Sequence, residues 1–220
     1  DNGGMLQCVD LNSMTLKYAV DTDGDGDAGI VIEESADNNT IFLYAANKAD
    51  GRNAADGRDK AYIRKIDGRT GTVAWTKTFD ASAENAGGAY APVHIGKNEL
   101  NGTIIASLSA AALNDGTDGG LIIALDKTTG EEKWRVEQAD GIWSAPVVIY
   151  DENGKGYILQ CDRGGKLTLY SGIDGQAMCS IDLGSRIEST PAVFNNTLVV
   201  GTRGVDGSGQ GPKIVGIRIG

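Results

Sequence analysis

The feature that most restricts the fold is a turn that recurs. Residues 121–134 read LIIALDKTTGEEKW: an apolar run ending at Asp126, a turn through Thr129 and Gly130, then a second short run closed by Trp134. Two extended runs joined by Asp, Thr and Gly form a hairpin signal, because Asp and Thr bond the turn backbone and Gly accepts a left-handed conformation. The frame returns upstream as Asp67, Thr70, Gly71 and Trp75, and in weaker form as Asp10, Ser13, Met14 and Tyr18. Downstream it is carried by Ser171, Asp174, Gly175 and Cys179. The chain is therefore a repeat protein.

A second marker has the same phase. Pro92, Pro146 and Pro191 fall in the contexts AYAPV, WSAPV and ESTPA, each placed in the first strand of a unit. Proline at a strand start removes no interior ladder bond and can recur there. A four-stranded unit of roughly 40–50 residues is the sequence sign of a β-propeller blade. The chain divides into a partial blade over 1–22, blades over about 27–79, 88–138 and 141–184, and a three-strand blade over 186–220, all one domain. First strands are expected at 29–33, 91–95, 144–150 and 190–194. A start at an internal turn, with Asp1-Asn2-Gly3-Gly4 matching Asp162-Arg163-Gly164-Gly165, predicts an incomplete or C-terminal portion of a larger propeller of which this chain holds about four to five blades.

The frame A-L-D-x-x-T-G-x-x-x-W at 124–134, with S-x-P in a first strand, resembles the PQQ-like (quinoprotein-type) β-propeller repeat. That family includes quinoprotein alcohol dehydrogenases and the propeller lipoprotein of the outer-membrane assembly machinery. The Gly-His and Trp-Asp pairs of WD40 blades are missing. The resemblance implies an all-β propeller of four-stranded antiparallel blades, in which the Trp of one blade packs on the Gly-bearing turn of its neighbour. Trp75, Trp134, Gly71 and Gly130 are then inter-blade packing residues.

Composition excludes several classes. Thirty acidic against 20 basic residues give a net charge of −10, which opposes a phosphate backbone, so no nucleic-acid partner is expected. No apolar run is long enough for a membrane-spanning helix. Three cysteines at 8, 161 and 179, without paired spacing, read as buried structural thiols. No short catalytic motif of a serine hydrolase, zinc protease or phosphate loop is present.

Functional residues are expected on one face. Connections between second and third strands are long, at 47–60, 114–120 and 203–212, and share a face with the crossings 21–27, 80–88 and 138–141. Opposite turns, such as 37–39 and 194–196, are short. Loops elaborated on a rigid scaffold are where binding concentrates. Within them, Asp21, Asp23, Asp25 and Asp27 alternate with Thr and Gly and are candidate Ca²⁺ ligands, although the twelfth position is Ile32 where a calcium loop carries Glu. The alternative is a solvated acidic crossing. First strands line a propeller's channel, which makes Glu33, Glu34, Tyr90, His94, Trp143, Arg186 and Glu188 channel or ligand candidates, Arg186 and Glu188 as an ion pair.

The expected function is a noncatalytic, extracytoplasmic bacterial scaffold, at the cell surface, in the periplasm or secreted, binding a protein, peptide or glycan on its long-loop face. The alternatives are a fragment of a PQQ-dependent oxidoreductase and a Ca²⁺-stabilised module of a cell-surface protein. Quinone machinery of that resemblance needs adjacent cysteines, a Ca²⁺-linked Asp and aromatic stacking, and this chain has no adjacent cysteine pair. Unpaired edge strands allow a homodimer.

Overall fold

In the computed structural model, residues 3–35, 39–52, 54–204 and 211–219 are described, so Asp37 and Asn38 of one short turn and the centre of the 203–212 connection fall outside them. The chain is an all-β propeller. A hairpin of β1 (Met5–Asp10) and β2 (Thr15–Asp21) comes first. A blade of β3 (Val31–Glu34), β4 (Ile41–Ala46), β5 (Arg58–Asp67) and β6 (Val73–Ser82) follows. The next comprises β7 (His94–Ile95), β8 (Thr103–Ala112), β9 (Asp118–Asp126) and β10 (Glu132–Gln138). Then come β11 (Val147–Tyr150), β12 (Gly156–Cys161), β13 (Lys166–Ser171) and β14 (Ala177–Asp182), and finally β15 (Ala192–Phe194), β16 (Thr197–Thr202) and β17 (Lys213–Arg218). Every ladder is antiparallel between consecutive strands of a unit.

The core lies between the sheets, and the two-residue period of a strand assigns each side chain to one gap or the other. On β8, Ile104 joins Tyr44, Ile63 and Trp75 in the gap toward the preceding blade, while Ile105 joins Ile122 and Ile158 in the gap toward the following one. On β12, Ile158 faces back and Leu159 faces forward to Leu198 and Val200. A blade thus buries both faces, and does so only by stacking on its neighbours.

The recurring turn locks that stacking. Asp126 accepts the backbone N–H groups of Thr128 and Thr129 at 2.8 and 3.0 Å, and Asp67 does the same for Arg69 and Thr70 at 2.8 and 3.0 Å. Gly130 and Gly175 take φ of 75° and 72°. A Cβ on Gly130 would lie 2.7 Å from the Trp75 ring, and one on Gly175 would lie 2.7 Å from the Trp134 ring. Each indole N–H then donates to a backbone carbonyl of the neighbouring turn region, Trp75 to Lys127 at 3.1 Å and Trp134 to Gly172 at 3.1 Å. Tyr18 repeats the arrangement on Gly71, donating to Gly68 at 2.8 Å. The plug, the turn and the hydrogen bond recur at three successive blade gaps.

Three expectations need correction. The prolines precede the first strands, since pairing starts at His94, Val147 and Ala192, beyond residues that have no N–H to offer. The connections 47–60 and 114–120 are partly strand, because β5 begins at Arg58 and β9 at Asp118. On the same face β6 and β8 run on to Ser82 and Ala112, where Ala81 pairs with Ala111 and fuses the two blades into one sheet. Cys161 is buried, but Cys8 is half-buried and Cys179 is exposed. All six residues of β14 are exposed, and no Gly-bearing turn follows β17 among the described residues for a plug at 179 to meet.

Candidate functional site

The acidic crossing after β2 does not form a cation cage. Lys48, only 8% exposed, places Nζ 3.0 Å from Asp25 and 2.6 Å from Asp27. Arg64, 6% exposed, reaches Asp23 at 2.7 Å and also donates to the Thr22 carbonyl. Asp21 accepts the N–H of Asp23 at 2.9 Å. Three of the four carboxylates are thus neutralised by side chains of the chain itself, and among the described residues no three acidic, His or Cys side chains are gathered to hold a metal ion. The loop aims its carboxylates at different partners, Asp25 and Asp27 at Lys48 and Asp23 at Arg64.

Lys48 has a second role. It lies 4.8 Å from the centroid of Tyr90, Tyr90 stacks on Trp143 with centroids 4.7 Å apart and planes at 17°, and the Arg163 guanidinium lies 4.0 Å from Trp143. Arg186 lies 5.5 Å from the same indole. Burial opposes the charge on Lys48, but its hydrogen bonds with Asp27 and Asp25 outweigh this and raise its pKa. Tyr90 is fixed by its hydroxyl, which donates to the Ala86 carbonyl at 3.0 Å. A column of cation, phenol, indole and guanidinium therefore crosses from the second blade to the fourth. Cation–π contacts of this kind contribute about 0.5–2 kcal/mol each, more as water is excluded.

The column ends at Glu188. Its carboxylate lies 2.7 Å from Arg186, 3.4 Å from Arg203 and 3.6 Å from Arg163. Tyr90, Trp143, Arg186 and Glu188 all sit in connections at the face where second-to-third loops and blade crossings meet. Lys48, Arg163 and Arg203 complete the group and were missed in the sequence. Each lies one or two residues past the second strand of its blade, at the start of the second-to-third connection.

Glu33 and His94 do not join this group. Strand alternation on β3 exposes Ile32 and Glu34 and turns Glu33 toward the next blade, where it lies 2.5 Å from Lys127 and accepts the Tyr44 hydroxyl at 2.8 Å. Burial works against the Glu33 carboxylate, yet the bonds from Lys127 and Tyr44 hold its pKa below the ordinary value. Glu33 is therefore a blade-to-blade contact and not a channel ligand. His94 lies half-buried on β7 and makes no side-chain hydrogen bond among the described residues, and burial lowers its pKa.

Trp143, the indole available for stacking at this face, is already engaged by Tyr90 and Arg163, and the three cysteines lie on separate elements.

Residues 61–158 match the sequence family described as glucose/ethanol/alcohol dehydrogenase, beta-propeller domain, and residues 118–211 match that of outer membrane protein assembly factor BamB. No curated protein sequence matches the chain. Among solved structures, BamB from Moraxella catarrhalis superposes with a TM-score of 0.60 at 16% identity over 99% of this chain and 53% of its own. Quinohemoprotein alcohol dehydrogenase from Comamonas testosteroni gives 0.64 at 12% identity over 91% and 41%. A europium-containing methanol dehydrogenase gives 0.61 at 15% identity over 90% and 44%. The chain spans about half the length of the structures it matches, and at these identities the likeness is one of fold.

Proposed function

Because this chain is built from PQQ-like β-propeller repeats, we propose that it is a noncatalytic scaffold of the bacterial cell envelope that docks a protein, peptide or glycan on its long-loop face. The observation that carries this reading is the column from Lys48 through Tyr90 and Trp143 to Arg163. Aromatic and arginine side chains clustered on one face of a rigid fold are the residue types that dominate binding energy at interfaces. The similarity to a family named for outer membrane protein assembly supports a protein partner and an envelope location.

Site-specific photocrosslinking in the native cells tests the reading. A crosslinker at Asn114 or Asp140 on the long-loop face should capture one discrete adduct, and the same group at Asn153 or Thr72 on the opposite face should capture none. Equal capture from both faces would remove the assignment. The dehydrogenase-like match supports a second reading, a fragment of a quinone-dependent oxidoreductase. Titration with PQQ and Ca²⁺ separates the two, since a competent site would perturb the quinone absorbance and the scaffold would leave it unchanged.

A further inference from the structure

Arg163 lies in the β12–β13 turn, Arg186 in the crossing from β14 to β15, and Arg203 just past β16. Hydrogen bonds from backbone N–H groups pin all three connections. The Arg163 N–H donates to Gly141 at 2.9 Å, the Arg203 N–H to the Arg186 carbonyl at 2.8 Å, and the Gly204 N–H to the Ser185 hydroxyl at 3.0 Å. The three side chains, with Gly164, Ser185 and Gly204, line a cleft of about 280 Å³.

Charge in this cleft does not balance. Glu188 is the one carboxylate in ion-pair range of the three guanidinium groups among the described residues. The Asp140 carboxylate lies against Gly164. Asp162 already accepts the Lys166 N–H at 3.0 Å and the Gln138 amide at 3.4 Å. The Nε atoms of Arg163 and Arg186 are buried and face Glu188, at 3.6 and 2.7 Å. Their Nη groups have no acceptor among the described residues. Stacking a guanidinium on an indole occupies its flat face and leaves its outer Nη edge for a planar carboxylate in a two-point contact.

The cleft is not isolated. Arg163 is shared with a second cleft of about 390 Å³, lined by Asn85, Ser109, Asp118, Ala139 and Trp143, in which Asp118 is paired with Arg58 and the arginine cluster is lacking. A lone ion would use only the first cleft, whereas an extended chain could use both. We infer that the face takes an acidic peptide segment, one carboxylate of which enters between Arg163, Arg186 and Arg203 beside Glu188 while the adjoining residues cross Trp143 to the second cleft. This rests on the docking reading above and narrows its partner to a protein with an exposed acidic stretch.

Calorimetric titration with an acetylated, amidated tetraglutamate tests it, with tetraglutamine, succinate and inorganic phosphate as comparison probes. The intact protein should bind tetraglutamate, less tightly in higher salt, and should not bind tetraglutamine. Arg163→Gln and Arg203→Gln should each weaken binding on the order of tenfold, the size of a lost charge-assisted hydrogen bond. Glu188→Gln should tighten it by removing the resident competitor. Arg203 is half exposed, so Arg203→Lys is a milder variant that keeps the charge and loses the fork; it should still weaken binding. No tetraglutamate binding, equal binding of tetraglutamine, equal or tighter binding of succinate or phosphate, or indifference to the arginine variants would each overturn the inference. If the peptide fails while crosslinking remains confined to the long-loop face, this inference falls and the docking reading stands; if crosslinking also fails, both fall.

Discussion

At Gly130 and Gly175 a hydrogen in place of a methyl decides whether two blades can meet. Each turn presents its bare Cα to an indole, and an added Cβ would stand 2.7 Å from ring carbons held in place by a hydrogen bond at the other end of the plug. Gly175→Val should therefore destabilise the protein by about 2–4 kcal/mol, combining left-handed strain and overpacking, as read by urea denaturation. Met14 occupies the glycine place of the first, weaker frame with φ of 55° and is exposed. Met14→Gly relieves a left-handed cost of about 1–2 kcal/mol against about 0.4–1 kcal/mol of added unfolded-chain entropy, so a net gain under about 1.5 kcal/mol is expected by the same assay. Trp75, Trp134 and Gly130 were legible because they repeat at fixed offsets from an aspartate. Lys48, Arg163 and Arg203 were not, because their shared place just past the second strand of each blade shows only when the strand ends are known.

Elements join where their ends outgrow the blade. Strands β5, β6, β8 and β9 extend past the regular sheet on the long-loop face, and the bridges from Lys48 to Gly88 and from Gly88 to Ser109 carry the pairing across the gap. Lys48 is the side chain that holds this junction, since Asp25, Asp27 and Tyr90 all rest on it. Lys48→Met keeps most of the volume and strands two carboxylates. It should cost about 1–3 kcal/mol in urea denaturation, below the full penalty of a broken buried pair because Asp27 is partly exposed. Spacing offered the four aspartates as Ca²⁺ ligands or as a solvated acidic crossing and could not show Lys48 and Arg64, because both come from outside the crossing and spacing within a loop carries no information about what that loop faces. On the opposite face, Glu33 ties β3 to the turn after β9 through Lys127. Its folded pKa is lowered from the ordinary 4.5, so the contribution is complete above that value and is lost as pH falls through the lower folded one. The stability gap between the parent protein and Glu33→Gln should accordingly be constant near neutrality and narrow on acidification below about pH 4.5.

The whole molecule divides two tasks between two sets of aromatic residues. Plugs at Tyr18, Trp75 and Trp134 fix the spacing of the blades, and that spacing brings Lys48, Tyr90, Trp143 and the three arginines, from separate connections, into one basic and aromatic group on a chain of net charge −10. Repeat phase alone identified the face, since second-to-third loops and crossings must share one end of every blade. Tyr90, Trp143 and the Arg186–Glu188 pair were named on that face from the sequence, whereas Lys48, Arg163 and Arg203 joined them only once the blades were stacked. The division is tested most directly by urea denaturation of Trp134→Ala beside the double variant Arg163→Gln, Arg203→Gln. Loss of the plug should cost about 3–5 kcal/mol, and loss of the two arginines less than about 1.5 kcal/mol. Equal costs would mean that the cation–aromatic column holds the propeller together and is not reserved for a partner.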